Sequence, residues 1–325
     1  MDRNQRRSWK GYTRAYSRTR ARVYLRSRIA SAKQLWYALH VPLSLLPALT
    51  LVGVLFGASV IYGVTQSLGY LPLIGQRTWS LAAYRNIFFN TNYATEFWSG
   101  LLFSLWICTA STVLSTIAAL LAVLILDQRG RRATMSQGGL WYALNLNLAF
   151  PHLVWAIGLS LLLAQSGLLA RIAAAIGLIA GPSDFPVLIR DRYGVGIILS
   201  YVSKETPFLL LIALSILASQ PSAYGVVAEN LGATRWQRLR YVTLPLVLPG
   251  LLSGALLVFA FVFGAYEVPA LLGVRYPQML SVLALEFFLN PDLRSRAEGM
   301  AISVIMAVVV LLVVGIARRL RREDV

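Results

Sequence analysis

Charge is scarce in this chain. Only 13% of its 325 residues are Asp, Glu, Lys or Arg, while 57% are hydrophobic. A soluble domain carries roughly twice that share of charge. So few charges cannot clothe a water-facing surface of this size, and they suffice only if lipid solvates most of the side chains. Cysteine is nearly absent. Cys108 stands alone, so no intramolecular disulfide forms. Two histidines, His40 and His152, lie far apart. With one cysteine they give no metal site of the structural zinc type. No GxxxxGK[ST] phosphate loop occurs, so the chain does not bind ATP in that way. No metal cluster, nucleophile elbow or paired His and carboxylate is visible, which argues against an enzyme and leaves no catalytic residues to assign.

Long apolar runs are abundant instead, and the mean hydropathy is +0.64. About 20 apolar residues cross a bilayer. Six runs qualify, near Val41–Val64, Phe97–Leu126, Leu140–Leu163, Gly194–Leu217, Val247–Leu272 and Met300–Ala317. The fold class is therefore an all-α membrane protein with six transmembrane helices. Leu168–Ile179 is too short to cross and is expected along the outer interface, and Gln278–Leu289 is similar. No internal repeat is evident.

The net charge of +17 is distributed unevenly. Residues 1–33 hold eleven Lys/Arg against one Asp. The second and fourth connections hold Arg129, Arg131, Arg132, Arg235, Arg238 and Arg240. The tail holds Arg318, Arg319, Arg321 and Arg322. Together these segments carry 21 of the 30 basic residues, and with six spans they share one side. The positive-inside rule then predicts that both termini are cytoplasmic. Segment 1–34 reads as a basic, disordered cytoplasmic leader that faces lipid, not nucleic acid. Its length and the long span after it make a retained anchor, although an Arg- and Ser-rich, acid-poor leader also suits a transit peptide. Residues 35–325 read as one transmembrane domain.

The cytoplasmic connection at 218–244 is ordered by local signals. Val226, Val227, Ala228 and Leu231 supply the apolar positions of a short helix. Gly232 suits the left-handed residue after a helix end. Thr234 and Gln237 match a capping box for a second helix, which Pro245 should break or kink after Leu244. An apolar helix displayed to the cytosol suggests a partner with a groove.

This loop resembles that of the permeases of binding-protein-dependent ABC importers: Glu-Ala-Ala, three residues, Gly, nine residues, Ile, one residue, Leu-Pro. Here Gly232 is followed by nine residues and then by Val242, Thr243, Leu244 and Pro245. Leu231-Gly232-Ala233 and Ala228 fit the pattern. Val226 and Val227 depart from it, and Glu229 supplies a nearby carboxylate. Ser166–Leu169, Ala180–Val195, Tyr201–Phe208 and Phe263–Gly273, with Tyr276-Pro277, are similar to spermidine/putrescine-type permeases. The resemblance covers about Phe97 to Ala317. It implies a subunit in the bacterial inner membrane that pairs with a second permease, the same or different. It implies that Val226, Val227, Ala228, Glu229, Leu231, Gly232, Ala233, Leu244 and Pro245 contact one of two cytoplasmic ATPase subunits. ATP and magnesium would belong to the ATPases, and a solute-binding protein would deliver substrate from outside.

Ionisable groups within spans mark paths or helix locks. Lys204 and Glu205 interrupt the fourth span, and Glu267 lies in the fifth, before Pro269. A proline there suggests a bent or broken helix lining a cavity. Lys204, Glu205, Tyr266, Glu267, Asn147 and Trp155 are the candidate path residues. Lys204 and Glu205 serve equally well as a lock between helices, and Arg275, Lys204 or an interfacial arginine as a partner of Glu267. His152 reads as a hydrogen-bonded packing residue. The expected substrate is a small organic cation such as a polyamine. Alternatives are a phosphonate, thiamine or iron permease, or a stand-alone secondary transporter with an intramembrane Lys/Glu relay. The docking loop and the lack of a repeat weigh against the last.

Overall fold

A computed structural model describes residues 44–128, 138–219, 227, 228 and 230–323. The basic leader, most of the second connection, Val226 and Glu229 lie outside the described residues. So does His40.

Two units divide the chain between Tyr62 and Gly63. In the first, residues 44–62 belong to helix α1 (Ser44–Ser67), an apolar stretch whose side chains are almost all exposed. Such a surface suits lipid.

The second unit holds the other helices. In chain order they are α2 (Ala82–Phe89), α3 (Thr91–Gln128), α4 (Gly138–Ala149), α5 (His152–Leu163), α6 (Leu168–Ala175) and α7 (Val195–Ser219). Then come α8 (Arg235–Arg238), α9 (Leu244–Gly264), α10 (Glu267–Leu272), α11 (Leu280–Phe288) and α12 (Arg296–Glu323). No strand occurs among the described residues, and six helical stretches are long and apolar enough to cross a membrane. At 38 residues α3 is about 57 Å long, well beyond the hydrocarbon core.

Packing centres on α3, α7 and α9, where Ile107, Tyr201, Leu209, Leu251 and Phe263 are buried. Lipid tails are as apolar as leucine, so close backbone approach has to hold such helices together. Gly250 and Gly254 provide it. A Cβ on Gly254 would lie 2.7 Å from Ile212 Cδ1 and 2.9 Å from Leu209 Cδ2, and one on Gly250 would overlap Ile216. These are the α7–α9 crossing points.

Three expectations change in detail. The third apolar run is no single helix: Phe150 and Pro151 separate α4 from α5, and the long apolar stretch is His152–Ala175, interrupted between α5 and α6. Gln278–Leu289, expected along an interface, packs one face inward. Its helix α11 buries Leu280, Ser281, Leu283 and Ala284 against α12 and α3. Of the break or kink expected at Pro245, the break does not occur. Residues Leu239–Thr243 form a π turn, with the Leu244 amide donating to the Leu239 carbonyl, and α9 continues from there. A wider turn relieves the clash of the proline ring with the carbonyl four residues back.

Candidate functional site

The polar residues of the fourth apolar stretch converge on the break in the third. Lys204 and Glu205 are 2% and 7% exposed on α7. The Lys204 ammonium donates to the carbonyls of Asn147 and Phe150, at the carboxyl end of α4. A helix ends in unbonded carbonyls and a partial negative charge, so a buried cation is well placed there. The Trp155 ring lies 5.8 Å from the ammonium. Its indole donates to Ser203 Oγ at 2.8 Å, and Ser203 in turn donates to the Ser200 carbonyl. The Asn147 amide reaches the Ser203 carbonyl at 3.5 Å.

Glu205 points elsewhere. Its Oε1 lies 2.9 Å from His152 Nε2, at the first residue of α5, and the His152 ring packs on Phe261 at 4.7 Å. A histidine–carboxylate pair therefore exists that the sequence concealed, because 53 positions separate its members. His152 makes a hydrogen bond and a packing contact of the kind expected of it.

The second break lies at Ala265–Tyr266, between α9 and α10. Ser281 Oγ donates to the Ala265 carbonyl at 2.8 Å. Glu267 opens α10 and is exposed, as is Tyr266. Glu267 has no hydrogen-bond or ion-pair partner among the described residues. Arg275 is not its partner: that guanidinium faces Glu286 at 3.5 Å, and Gln278 donates to the same carboxylate. Lys204 is not its partner either, being held on α4. The six candidate path residues thus separate into buried Lys204 and Glu205 with half-buried Asn147 and Trp155 beside Lys204, and an exposed pair, Tyr266 and Glu267. Sequence reasoning does not single out Ser203 or Ser281. Ser203 stands beside Lys204 as a hint, whereas nothing in the sequence points to Ser281.

Around Gly232 and Thr234 the loop before α9 has the expected turn and cap. The Ala233 amide donates to the Ala228 carbonyl across Gly232, whose φ is +76°. That bond and that conformation form a Schellman turn. Thr234 and Gln237 complete the capping box: Gln237 Oε1 accepts from the Thr234 amide at 2.8 Å, and Thr234 Oγ1 accepts from the Gln237 amide. Val227 and Leu231 are exposed, 52% and 81%. Ala233 and Leu244 are half-buried, and Pro245 is exposed.

Residues 140–322 match the family described as "Binding-protein-dependent transport system inner membrane component". The chain is 28% identical over 203 residues to the inner membrane ABC transporter permease protein YnjC of Escherichia coli K12. That match covers 60% of this chain and 36% of the relative, so the chain spans about a third of that protein's length. It is 29% identical over 223 residues to the molybdenum transport system permease protein ModB of Mycobacterium tuberculosis H37Rv, over 66% of this chain and 76% of ModB. Against the spermidine/putrescine transport system permease protein PotB of Haemophilus influenzae it is 27% identical over 163 residues, half of this chain and 54% of PotB. Its fold is similar to a chain in the crystal structure of a bacterial ABC transporter involved in the import of the acidic polysaccharide alginate. The TM-score is 0.71 at 18% identity, over 91% of this chain and 99% of the other. A further structure of an alginate transporter, of TM-score 0.70 and also 18% identical, is in complex with an alginate pentasaccharide-bound periplasmic protein and covers 90% of this chain and 98% of its own. Six long apolar helices and inner-membrane relatives make the chain a multi-pass inner-membrane protein. More than half of the chain, including the loop around Gly232 and both helix breaks, lies inside the matched region, and the chain belongs to the family of inner-membrane components of binding-protein-dependent transport systems.

Proposed function

We propose that the chain is one permease subunit of an ATP-driven importer and docks on its ATPase through the loop around Gly232. One observation carries this reading: a Schellman turn, a capping box and a π turn succeed one another between Ala228 and Leu244. An autonomous carrier has no use for a capped cytoplasmic turn that displays Val227 and Leu231. The partners are a second permease subunit, two ATPase subunits and an extracytoplasmic solute-binding protein. The alginate transporter held with a periplasmic protein supports the last of these by likeness of fold. In the test, Gly232→Trp is compared with wild type in the assembled complex. The variant should insert and assemble but lose solute-stimulated ATP hydrolysis. Normal coupling in that variant would sink the docking assignment.

The path passes Tyr266 and Glu267, and the solute is a small organic cation of the polyamine class. Glu267 is an exposed carboxylate without a hydrogen-bond or ion-pair partner among the described residues, while the charge of Lys204 is already taken by helix carbonyls. The path therefore presents an acid and hides its base, which disfavours the oxyanion that the likeness to ModB would suggest. Spermidine and molybdate uptake by wild type and Glu267→Gln decide the point. Spermidine uptake lost in Glu267→Gln supports the cation path. Molybdate uptake that survives the substitution overturns it.

A further inference from the structure

Prolines inside membrane helices leave carbonyls without donors, because the residue four positions on has no N–H. Lipid offers no substitute donor. Three prolines around the candidate site withhold an N–H in this way: Pro207 inside α7, Pro151 just after α4 and Pro269 in the first turn of α10. Pro151 removes the donor for the Asn147 carbonyl, Pro207 that for Ser203, and Pro269 that for Ala265. Each of these three carbonyls accepts from a side chain of another element. Lys204 Nζ takes Asn147, Asn147 Nδ2 takes Ser203 at 3.5 Å, and Ser281 Oγ takes Ala265 at 2.8 Å. The first two are reciprocal. Lys204 on α7 repairs the defect that Pro151 makes after α4, and Asn147 on α4 repairs the defect that Pro207 makes in α7.

We infer that Lys204, Asn147 and Ser281 are positioning residues, each supplying the hydrogen-bond donor that a membrane proline removes and so fixing the two helix breaks beside the path. Each break sets the direction of the helix after it. His152 and Trp155 begin α5 just beyond the first, and Glu267 begins α10 just beyond the second. Lys204 is then a brace and makes no contact with solute. Calling the three residues positioning groups of a path rests on the permease reading above. The pairing of donor with proline is a property of the folded subunit alone.

Double-mutant cycles on the purified full-length chain in detergent test this, read by thermal unfolding. Lys204→Met should lower the midpoint by several degrees, because it strands the Asn147 carbonyl. Pro151→Ala alone should lower it too, because the restored amide competes for that carbonyl and leaves a buried ammonium short of acceptors. The double variant should lose less than either single one, since the backbone amide gained at position 151 then serves Asn147 and no charge remains. Ser281→Ala with Pro269→Ala gives a second, uncharged cycle, in which the cost of Ser281→Ala should shrink by at least half when residue 269 carries an N–H. A packing or bulk-charge role for Lys204 or Ser281 is blind to whether residue 151 or 269 can donate. Losses that add in a cycle would overturn the assignment for that pair. Lys204→Arg keeps donors and charge and should stay close to wild type; a loss as large as that of Lys204→Met would also overturn the brace. No transported solute enters these measurements, so their failure is separate from failure of the ATPase-coupling test.

Discussion

At the scale of single residues, the two glutamates of the site are opposites. Glu205 is buried and tied to His152, whereas Glu267 is exposed and unpaired within its subunit, among the described residues. Their substitutions should separate accordingly. Glu205→Ala leaves His152 without its partner in a poorly solvated place, which costs about 1–3 kcal/mol. It should lower the unfolding midpoint and the yield of folded subunit in mild detergent. Glu267→Gln should leave both unchanged, because it removes no contact within the subunit. A Glu267→Gln subunit as unstable as Glu205→Ala would mean that the carboxylate has a structural partner after all. Lys204 shows why residue identity alone misleads. A lysine in an apolar run reads equally as a path residue or as a lock, and only the position of the Asn147 and Phe150 carbonyls distinguishes the two.

Among the elements, glycines do two different jobs. Gly232 has φ +76° and nothing within 4 Å of a built Cβ. An alanine there meets no clash and costs only the left-handed backbone, about 1–2 kcal/mol. Gly232→Ala should therefore fray the loop without preventing assembly. Faster amide exchange at Ala233, whose N–H closes the turn, would register it, and unchanged exchange would contradict the Schellman assignment. Gly254 is tolerated for the opposite reason: space is lacking. Gly254→Leu would drive a side chain into Ile212 and Leu209, and overpacking of this kind costs about 1–3 kcal/mol. The α7–α9 crossing should loosen, seen as a lower unfolding midpoint that Ile212→Ala partly restores. The glycine spacing at 250 and 254 is open to view in the sequence, but it names no partner helix. The capping signals around Gly232 are legible because they act over three or four residues. The π turn at Leu239–Thr243 is not, since a proline at 245 is compatible with a break, a kink or a widened turn until its surroundings are known.

For the whole molecule, six apolar runs and an all-α fold can be read directly, because span length and hydropathy are set by bilayer thickness. The features that escape are those decided by tertiary contact. The burial of α11 depends on α3 and α12, and the split at Phe150–Pro151 is held by donors from a helix some fifty residues away. Sidedness rests on charge alone. The basic residues concentrate in the leader, the second and fourth connections and the tail, which share one face only if the number of crossings is even. The six long apolar helices among the described residues satisfy that condition. Lys and Arg are retained on the cytoplasmic side during insertion. Both termini should therefore be cytoplasmic, together with the loop around Gly232, as an ATPase contact requires. Reporter fusions after residue 325 should behave as cytosolic, and fusions after Asp184 or Asp292 as external. Asp184 comes after α6 and Asp292 after α11, so each samples a different odd-numbered connection. An external reporter at the carboxyl terminus would reduce the crossings to an odd number and would move the Gly232 loop or the tail away from the side where ATP is hydrolysed.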